Sequence, residues 1–284
     1  MRPHHWIKSG FCLAALFLSG MWSDLDNWKI LFPMLIGFSL VSSSGYIFND
    51  VLNVKEDRSH PRKRYRPIAR GAVNRDAACV GCFFLSGLGF LFLIASDFFG
   101  KSSFAALISG VLYFLLTLSY SAFFRKISYL DVAVLGLGFV LRVVAGAFVL
   151  GLKPTWWLMG TTYALALLLG FGKRLGEVQL AEKAKLYKGE TRASLCSYST
   201  NSLRNIVVFA GFIVIGFYLA YCLKERGERV FFSLTLIPVV TGVYAYLRMA
   251  WRTDEVEMPE KLFLRSRVLV LSMFTWVVLI LVVQ

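Results

Sequence analysis

Apolar residues run through this chain in long blocks, separated by polar connections that alternate between very short and long. Runs near 7–23, 28–48, 76–97, 102–119, 129–151, 155–172, 205–223, 229–247 and 265–283 each approach the roughly 20 residues a helix needs to cross a hydrocarbon core of about 30 Å. The pattern predicts nine transmembrane helices, an all-α polytopic membrane protein, and one integral-membrane domain over residues 1–284. Segments 24–27, 98–101 and 152–154 barely turn the chain, whereas 49–75 and 173–204 are long and charged. If the N-terminus is cytoplasmic, most Lys and Arg fall in the inside loops and the C-terminus lies outside. Long loops on a rigid scaffold commonly carry function, so the chemistry is expected on the cytoplasmic face.

The chain is 57% apolar and only 17% charged, which excludes an ordinary soluble domain. Its net charge of +14 would suggest nucleic acid in a soluble protein. Here the cations sit between spans, and the expected surroundings are a lipid bilayer, with no nucleic acid. Cys12, Cys79, Cys82, Cys196 and Cys222 lie mostly inside apolar runs, no second Cys or His pair accompanies Cys79 and Cys82 at metal spacing, and all five read as packing residues. His4 and His5, beside Trp6, read as an interfacial N-terminus. Arg2 and Lys8 flank an apolar run that no small-residue cleavage site follows, so the run is expected to stay as a first helix.

The most informative polar stretch is 49–71, where acid and amide groups precede a dense basic run. Continued as a helix from the preceding span, Asn49, Asn53 and Asp57 fall at i, i+4 and i+8 on one face, flanked by Asp50 and Glu56. Hard oxygen ligands of this kind suit Mg²⁺, which fills its shell with substrate phosphates. Arg58, Lys63, Arg64 and Arg66 follow and suit the same phosphates, Arg as a bidentate fork and Lys as a point charge. A loop whose cations merely set topology needs no ordered Asn/Asp face.

Further along, Gly170, Gly172 and Gly176 surround Lys173, Arg174 and Glu177. Glu177 is a candidate to complete a metal site with Asp50, and Lys173 and Arg174 to neutralise phosphate; a helix end with Glu–Lys pairs in the interface reads equally well. Arg142 lies deep in an apolar run, at a cost of roughly 2.5–3.5 kcal/mol on insertion scales, and therefore needs a cavity or a partner. Asp131 sits eleven residues earlier, on nearly the same face. Phosphate ligation and pairing with a carboxylate both satisfy Arg142. Tyr120, Arg125 and Lys126 close a turn where they serve either a head group or an interfacial anchor. Gly136, Gly138 and Gly146 are expected to permit close helix packing.

The stretch from Asn49 to Gly71 resembles the UbiA superfamily of intramembrane prenyltransferases, whose first motif is NDxxDxxxD followed by an Arg-rich segment ending in RPxxxG. This chain has Asn49, Asp50, Asn53 and Asp57, then Arg66-Pro67-Ile68-Ala69-Arg70-Gly71. More narrowly, Arg2 to Lys8, His60-Pro61 with Lys63-Arg64, Phe139 to Arg142, and Gly172-Lys173-Arg174 with Glu177 are similar to the decaprenyl-phosphate phosphoribosyltransferase branch. The resemblance implies transfer of 5-phosphoribose from phosphoribosyl pyrophosphate to a polyprenyl phosphate, with Mg²⁺, at a bacterial inner (plasma) membrane; in actinobacteria the product serves cell-wall arabinan.

On this reading Asn49, Asp50, Asn53, Asp57 and Glu177 are metal ligands, and Asp50, Asp57, Arg142 and Lys173 are catalytic. Lys8, Arg58, Lys63, Arg64, Arg66, Tyr120, Lys126, Arg142, Lys173 and Arg174 are substrate-binding. A homo-oligomer is compatible with the sequence. Two departures stand out: Asn53 replaces the usual Asp, and the loop from 173 lacks the DxxxD pair of members that use prenyl diphosphates. The missing pair counts against the alternative, a prenyl-diphosphate-dependent aromatic prenyltransferase. A transporter or lipid-binding scaffold would string paired charges along a path through the bilayer, whereas polarity here gathers at one face.

Overall fold

A computed structural model describes residues 3–59, 63–101, 104–183, 195, 197–225, 230–252 and 266–283. His60, Pro61, Arg62, Lys185, Lys188 and Cys196 lie outside them, as do the side chains of His4 and His5. The described residues are helical with no strand. A 3₁₀ segment, Pro3–Leu13, leads into α1 (Ala14–Ser19), α2 (Leu25–Leu52), α3 (Val54–Ser59), α4 (Arg75–Phe99), α5 (Ala105–Ala122), α6 (Leu130–Val149), α7 (Trp156–Lys183), α8 (Thr200–Glu225), α9 (Leu236–Arg252) and α10 (Arg267–Val283).

Among the described residues six segments are long and apolar enough to cross a membrane: Leu25–Leu52, Arg75–Phe99, Ala105–Ala122, Leu130–Val149, Thr200–Glu225 and Phe231–Trp251. Trp6–Ser19 and Arg267–Val283 are shorter apolar helices. The difference from the expected nine arises at these two and at α7. That helix joins the apolar run 155–172 to a charged stretch ending at Lys183, so the helix does not stop where the apolar run does.

The chain divides into two compact units. The first comprises residues 1–16, 21–125 and 138–154; the second comprises 17–20, 126–137 and 155–284. In the first, α2 packs against α4 and α5 and against the 3₁₀ segment at the N-terminus. Its core is formed by Leu16, Leu31, Met34, Phe38, Val41, Leu93 and Val149. Asp24 opens α2 by accepting from the Asp26 N–H at 2.9 Å, and Asn74 opens α4 by accepting from Ala77 at 2.7 Å. The Asp97 carboxylate near the end of α4 accepts from the first-turn N–H groups of Ala106 and Leu107, each at 2.8 Å. One side chain thus caps α5 and fixes the α4–α5 turn.

Helix contact in this unit depends on missing side chains. A Cβ on Gly37 would meet the Gly89 carbonyl at 2.9 Å, and one on Gly89 would meet that of Gly37 at 3.0 Å. Gly146 on α6 faces the Cys12 backbone so closely that a Cβ would fall onto its carbonyl oxygen. In the second unit α7 packs along α8, and α9 against α8 and α10. The core here includes Leu168, Leu175, Leu203, Val207, Val214 and Tyr246.

Gly146→Ala is expected to destabilise the protein by about 1–3 kcal/mol, because backbone cannot yield as a side-chain tip does. Thermal unfolding in detergent, beside Gly216→Ala, whose added Cβ meets nothing within 4 Å, checks this.

Candidate active site

The polar stretch of the first unit forms as the apolar span runs out. α2 ends at Leu52, and the Asn53 backbone (φ −104°, ψ 20°) breaks the helix before α3 resumes it. Backbone hydrogen bonds still run from Asn53 N–H to Asn49 O at 3.2 Å and from Asp57 N–H to Asn53 O at 2.8 Å. The i, i+4, i+8 face expected from the sequence therefore survives the break. Asn53 and Asp57 are buried, and Asn49 and Asp50 half-buried. The Asn53 amide donates to the Asn49 carbonyl at 2.6 Å and to its Oδ1 at 3.2 Å, so Asn53 orients Asn49.

The basic run folds back onto this face. Ile68 is buried against Val54 and Ala78, with Ile47 and Val51 beside them. Gly71 (φ +79°) closes the turn in a conformation that favours glycine, and Arg58 Nε donates to the Ala69 carbonyl at 3.0 Å. This anchoring presents Arg66 to the acids: its Nη1 donates to Asp50 Oδ1 at 3.0 Å and Asp57 Oδ2 at 2.6 Å. Arg125 donates to Glu56 Oε2 at 2.5 Å and, at 3.5 Å, to Asn49 Oδ1. Glu56 is exposed, so that pair contributes little to stability.

Of the other phosphate candidates, Arg64 lies on the surface, bonded to the Tyr65 hydroxyl at 2.9 Å. Lys8, Lys63 and Tyr120 are half-buried, and Lys126 is exposed.

Deeper in the first unit Arg142 is 3% exposed. Its Nη1 donates to the Gly138 carbonyl at 3.0 Å and its Nη2 to Ser42 Oγ at 2.9 Å. Its guanidinium carbon lies 4.2 Å from the centroid of the Tyr113 ring and under 6 Å from those of Phe38 and Phe139. Asp131, which the sequence put on nearly the same face, is committed elsewhere.

In the second unit Asp131 is fully buried and accepts from Arg174 Nε at 2.9 Å and the Tyr198 hydroxyl at 3.0 Å. Arg174 Nη1 donates to Glu177 at 2.6 Å. The Tyr129 N–H donates to the Tyr198 oxygen at 2.5 Å, with Tyr129 held at φ +66°. Burial pushes the Tyr198 hydroxyl above its ordinary range, against a lowering by the Tyr129 N–H, and the Asp131 charge adds to the rise. Arg174, expected at a substrate phosphate, thus sits between two acids. Lys173, half-buried, makes none of these bonds. Ser42, Tyr113 and Tyr198 are the participants that sequence reasoning passed over. The Ser42-Ser43-Ser44 run inside an apolar span was the available signal for the first.

Residues 10–278 match the UbiA prenyltransferase family. The chain belongs to this family. It is an integral membrane protein, as the UbiA family and the long apolar helices agree. It is 29% identical over 290 residues to a decaprenyl-phosphate phosphoribosyltransferase of Corynebacterium glutamicum, covering 98% of this chain and 83% of that protein. It is 28% identical over 293 residues to the enzyme of the same name from Mycolicibacterium smegmatis, covering 98% and 88%. A UbiA homolog from Archaeoglobus fulgidus, solved bound to DMAPP and Mg²⁺, shares the fold with a TM-score of 0.69 at 15% identity, over 100% of this chain and 98% of that one.

The donors of the first unit fit a divalent cation. Two carboxylate oxygens converge on one positive centre, the Arg66 guanidinium, and on the same helical face the Asn49 amide oxygen accepts from Asn53 and Arg125. Among the described residues no three His, Cys, Asp or Glu gather at one point, so phosphate and water oxygens would complete the shell.

Arg66→Gln removes the cation that Asp50 and Asp57 share and is expected to lower stability by about 2 kcal/mol, with Mg²⁺ or Mn²⁺ restoring it. Melting curves with and without metal should show a larger gain for the variant than for the wild type. Asp131→Asn removes one of the two carboxylates that pair with the buried Arg174 and should cost about 2 kcal/mol, whereas Tyr198→Phe should cost about 1 kcal/mol. Because the fold favours neutral Tyr198, its contribution is complete below its ordinary value of 10.0 and is lost as pH rises further. Unfolding midpoints at pH 8 and 10.5 would show it in the wild type only.

Proposed function

We propose that the chain transfers 5-phosphoribose from phosphoribosyl pyrophosphate to a polyprenyl phosphate such as decaprenyl phosphate, releasing pyrophosphate. The carrying observation is the similarity, over nearly the whole chain, to enzymes named for that reaction. The polar end of α2 and the charged stretch within α7 support it. One offers a carboxylate pair amid cations, the other a Lys beside an Arg–Glu pair with no second aspartate pair. A phosphate-rich substrate pair asks for that balance.

Asn49, Asp50 and Asp57 would hold Mg²⁺, with Asn53 orienting Asn49. The ion would polarise the pyrophosphate and stabilise its charge as it departs. Arg66, once released from the acids, moves onto the donor's phosphates together with Arg58, Lys63 and Arg64. A lipid phosphate oxygen, already anionic, attacks the anomeric carbon as the bond from that carbon to the pyrophosphate oxygen breaks. No general base is required, and the protein's part is positioning and charge neutralisation. Lys8, Tyr120, Lys126, Arg142, Lys173 and Arg174 supply further phosphate-facing or supporting groups.

In this reading the chain is one domain of nine crossings, made of the six long spans, the two shorter apolar helices and the apolar part of α7. It lies in a bacterial inner membrane with N-terminus and site cytoplasmic and C-terminus outside.

The test is a transfer assay with purified protein, Mg²⁺, labelled phosphoribosyl pyrophosphate and polyprenyl phosphate. Label should enter the lipid phase, fall to background with chelator, and drop at least about 100-fold in Asp50→Ala and in Asp57→Ala. Failure of transfer, with alkylation of an aromatic acceptor by a prenyl diphosphate, would establish the other UbiA chemistry instead.

A further inference from the structure

Arg142 is a permanently charged group inside an apolar helix, and every neighbour it binds is neutral: a backbone carbonyl, a serine hydroxyl and three aromatic rings. No ion pair joins it among the described residues, and its buried Nε donates to nothing. A buried guanidinium without counter-charge is costly, and in membrane proteins such groups mark ligand sites. We propose, on the phosphoribosyl-transfer reading, that Arg142 is the seat of the acceptor: it binds the phosphomonoester of the lipid, separately from the metal-held pyrophosphate of the donor.

Three observations choose the acceptor over the donor. Ser42, which holds Nη2, precedes Asn49 on α2 by seven residues, so Arg142 lies about 10 Å along that helix from the acid-and-amide end, toward the apolar interior. None of Arg142's hydrogen bonds or ring contacts is to a carboxylate, so a pyrophosphate bound with its metal would find no acid beside the guanidinium to share the ion. Phe38 and Phe139 wall the guanidinium, and the ribose hydroxyls of the donor would be desolvated against them without partners. A polyprenyl phosphate brings one charged group followed by hydrocarbon, which those walls accept. The donors suit phosphate: Nε and an Nη form a fork, and the bond between Ser42 Oγ and Tyr113 OH, 2.7 Å, uses only one of two hydroxyl protons.

The probe is farnesyl monophosphate, titrated by calorimetry into full-length protein in detergent with chelator present. The wild type should bind it without metal. Arg142→Lys, which keeps the charge but loses the fork, should weaken binding about tenfold, and Arg142→Met about 100-fold. Affinity for phosphoribosyl pyrophosphate with Mg²⁺ should stay within about twofold in both. In the transfer assay Arg142→Lys should raise KM for the lipid while leaving KM for the donor. Where Arg142→Met is not monodisperse, the Lys variant decides. Unchanged farnesyl phosphate affinity in Arg142→Lys, or a matching loss of donor affinity, overturns the assignment. Inorganic phosphate or phosphatidic acid competing as well as farnesyl phosphate would overturn it too, showing a seat for phosphate in general or for bilayer lipid. Absence of transfer by a wild type that binds farnesyl phosphate through Arg142 would sink the transfer reading and leave the site.

Discussion

The polar end of α2 is held by one guanidinium shared between two carboxylates. Asp50 and Asp57 lie close enough to reach the same Arg66 nitrogen, and without that cation they would repel each other at the margin of an apolar bundle. The surrounding features serve this contact. Ile68 anchors the returning chain in a small apolar cluster, Gly71 lets it turn, and Arg58 ties down the Ala69 carbonyl. The second unit meets the same demand differently: Asp131 and Glu177 clamp Arg174, and Tyr198 supplies the remaining donor. In both, charge beside an apolar helix is balanced by the protein.

How much of this was legible in the sequence depended on whether a feature is local. Helical continuity past the span placed Asn49, Asn53 and Asp57 on one face, and the hydrogen bonds across Asn53 keep it so. That Arg66 bridges Asp50 and Asp57 was not legible, because it depends on where Ile68 finds its apolar neighbours. Arg142 was flagged by the cost of its burial, yet its partners Ser42 and Tyr113 come from α2 and α5, and no spacing within α6 points to them. Asp131 and Arg142, near in register, bind different partners, since pairing follows the neighbours each meets across helices. The expected nine crossings rested on apolar runs and on the loop charges between them, and α7 shows that a helix continues where its apolar run ends.

Charge distribution separates the two polar regions chemically. The first has two acids bridged by Arg66, which belongs to a dense basic run. The second has two acids that share one buried arginine, with Lys173 next to it in the chain. On one fold such an exchange of acid for base changes which anions are welcome, without changing the helices that carry them.

The length of α2 has a consequence of another kind. Twenty-eight residues make a rod of about 42 Å, roughly 12 Å longer than the hydrocarbon it crosses, and the same rod carries Ser42 in its buried middle and Asn49 and Asp50 at its end. Its tilt therefore sets how far the acidic end stands clear of the acyl chains. Bilayer thickness becomes a variable of the enzyme: thick membranes draw the acids toward oil, and thin ones leave them in water.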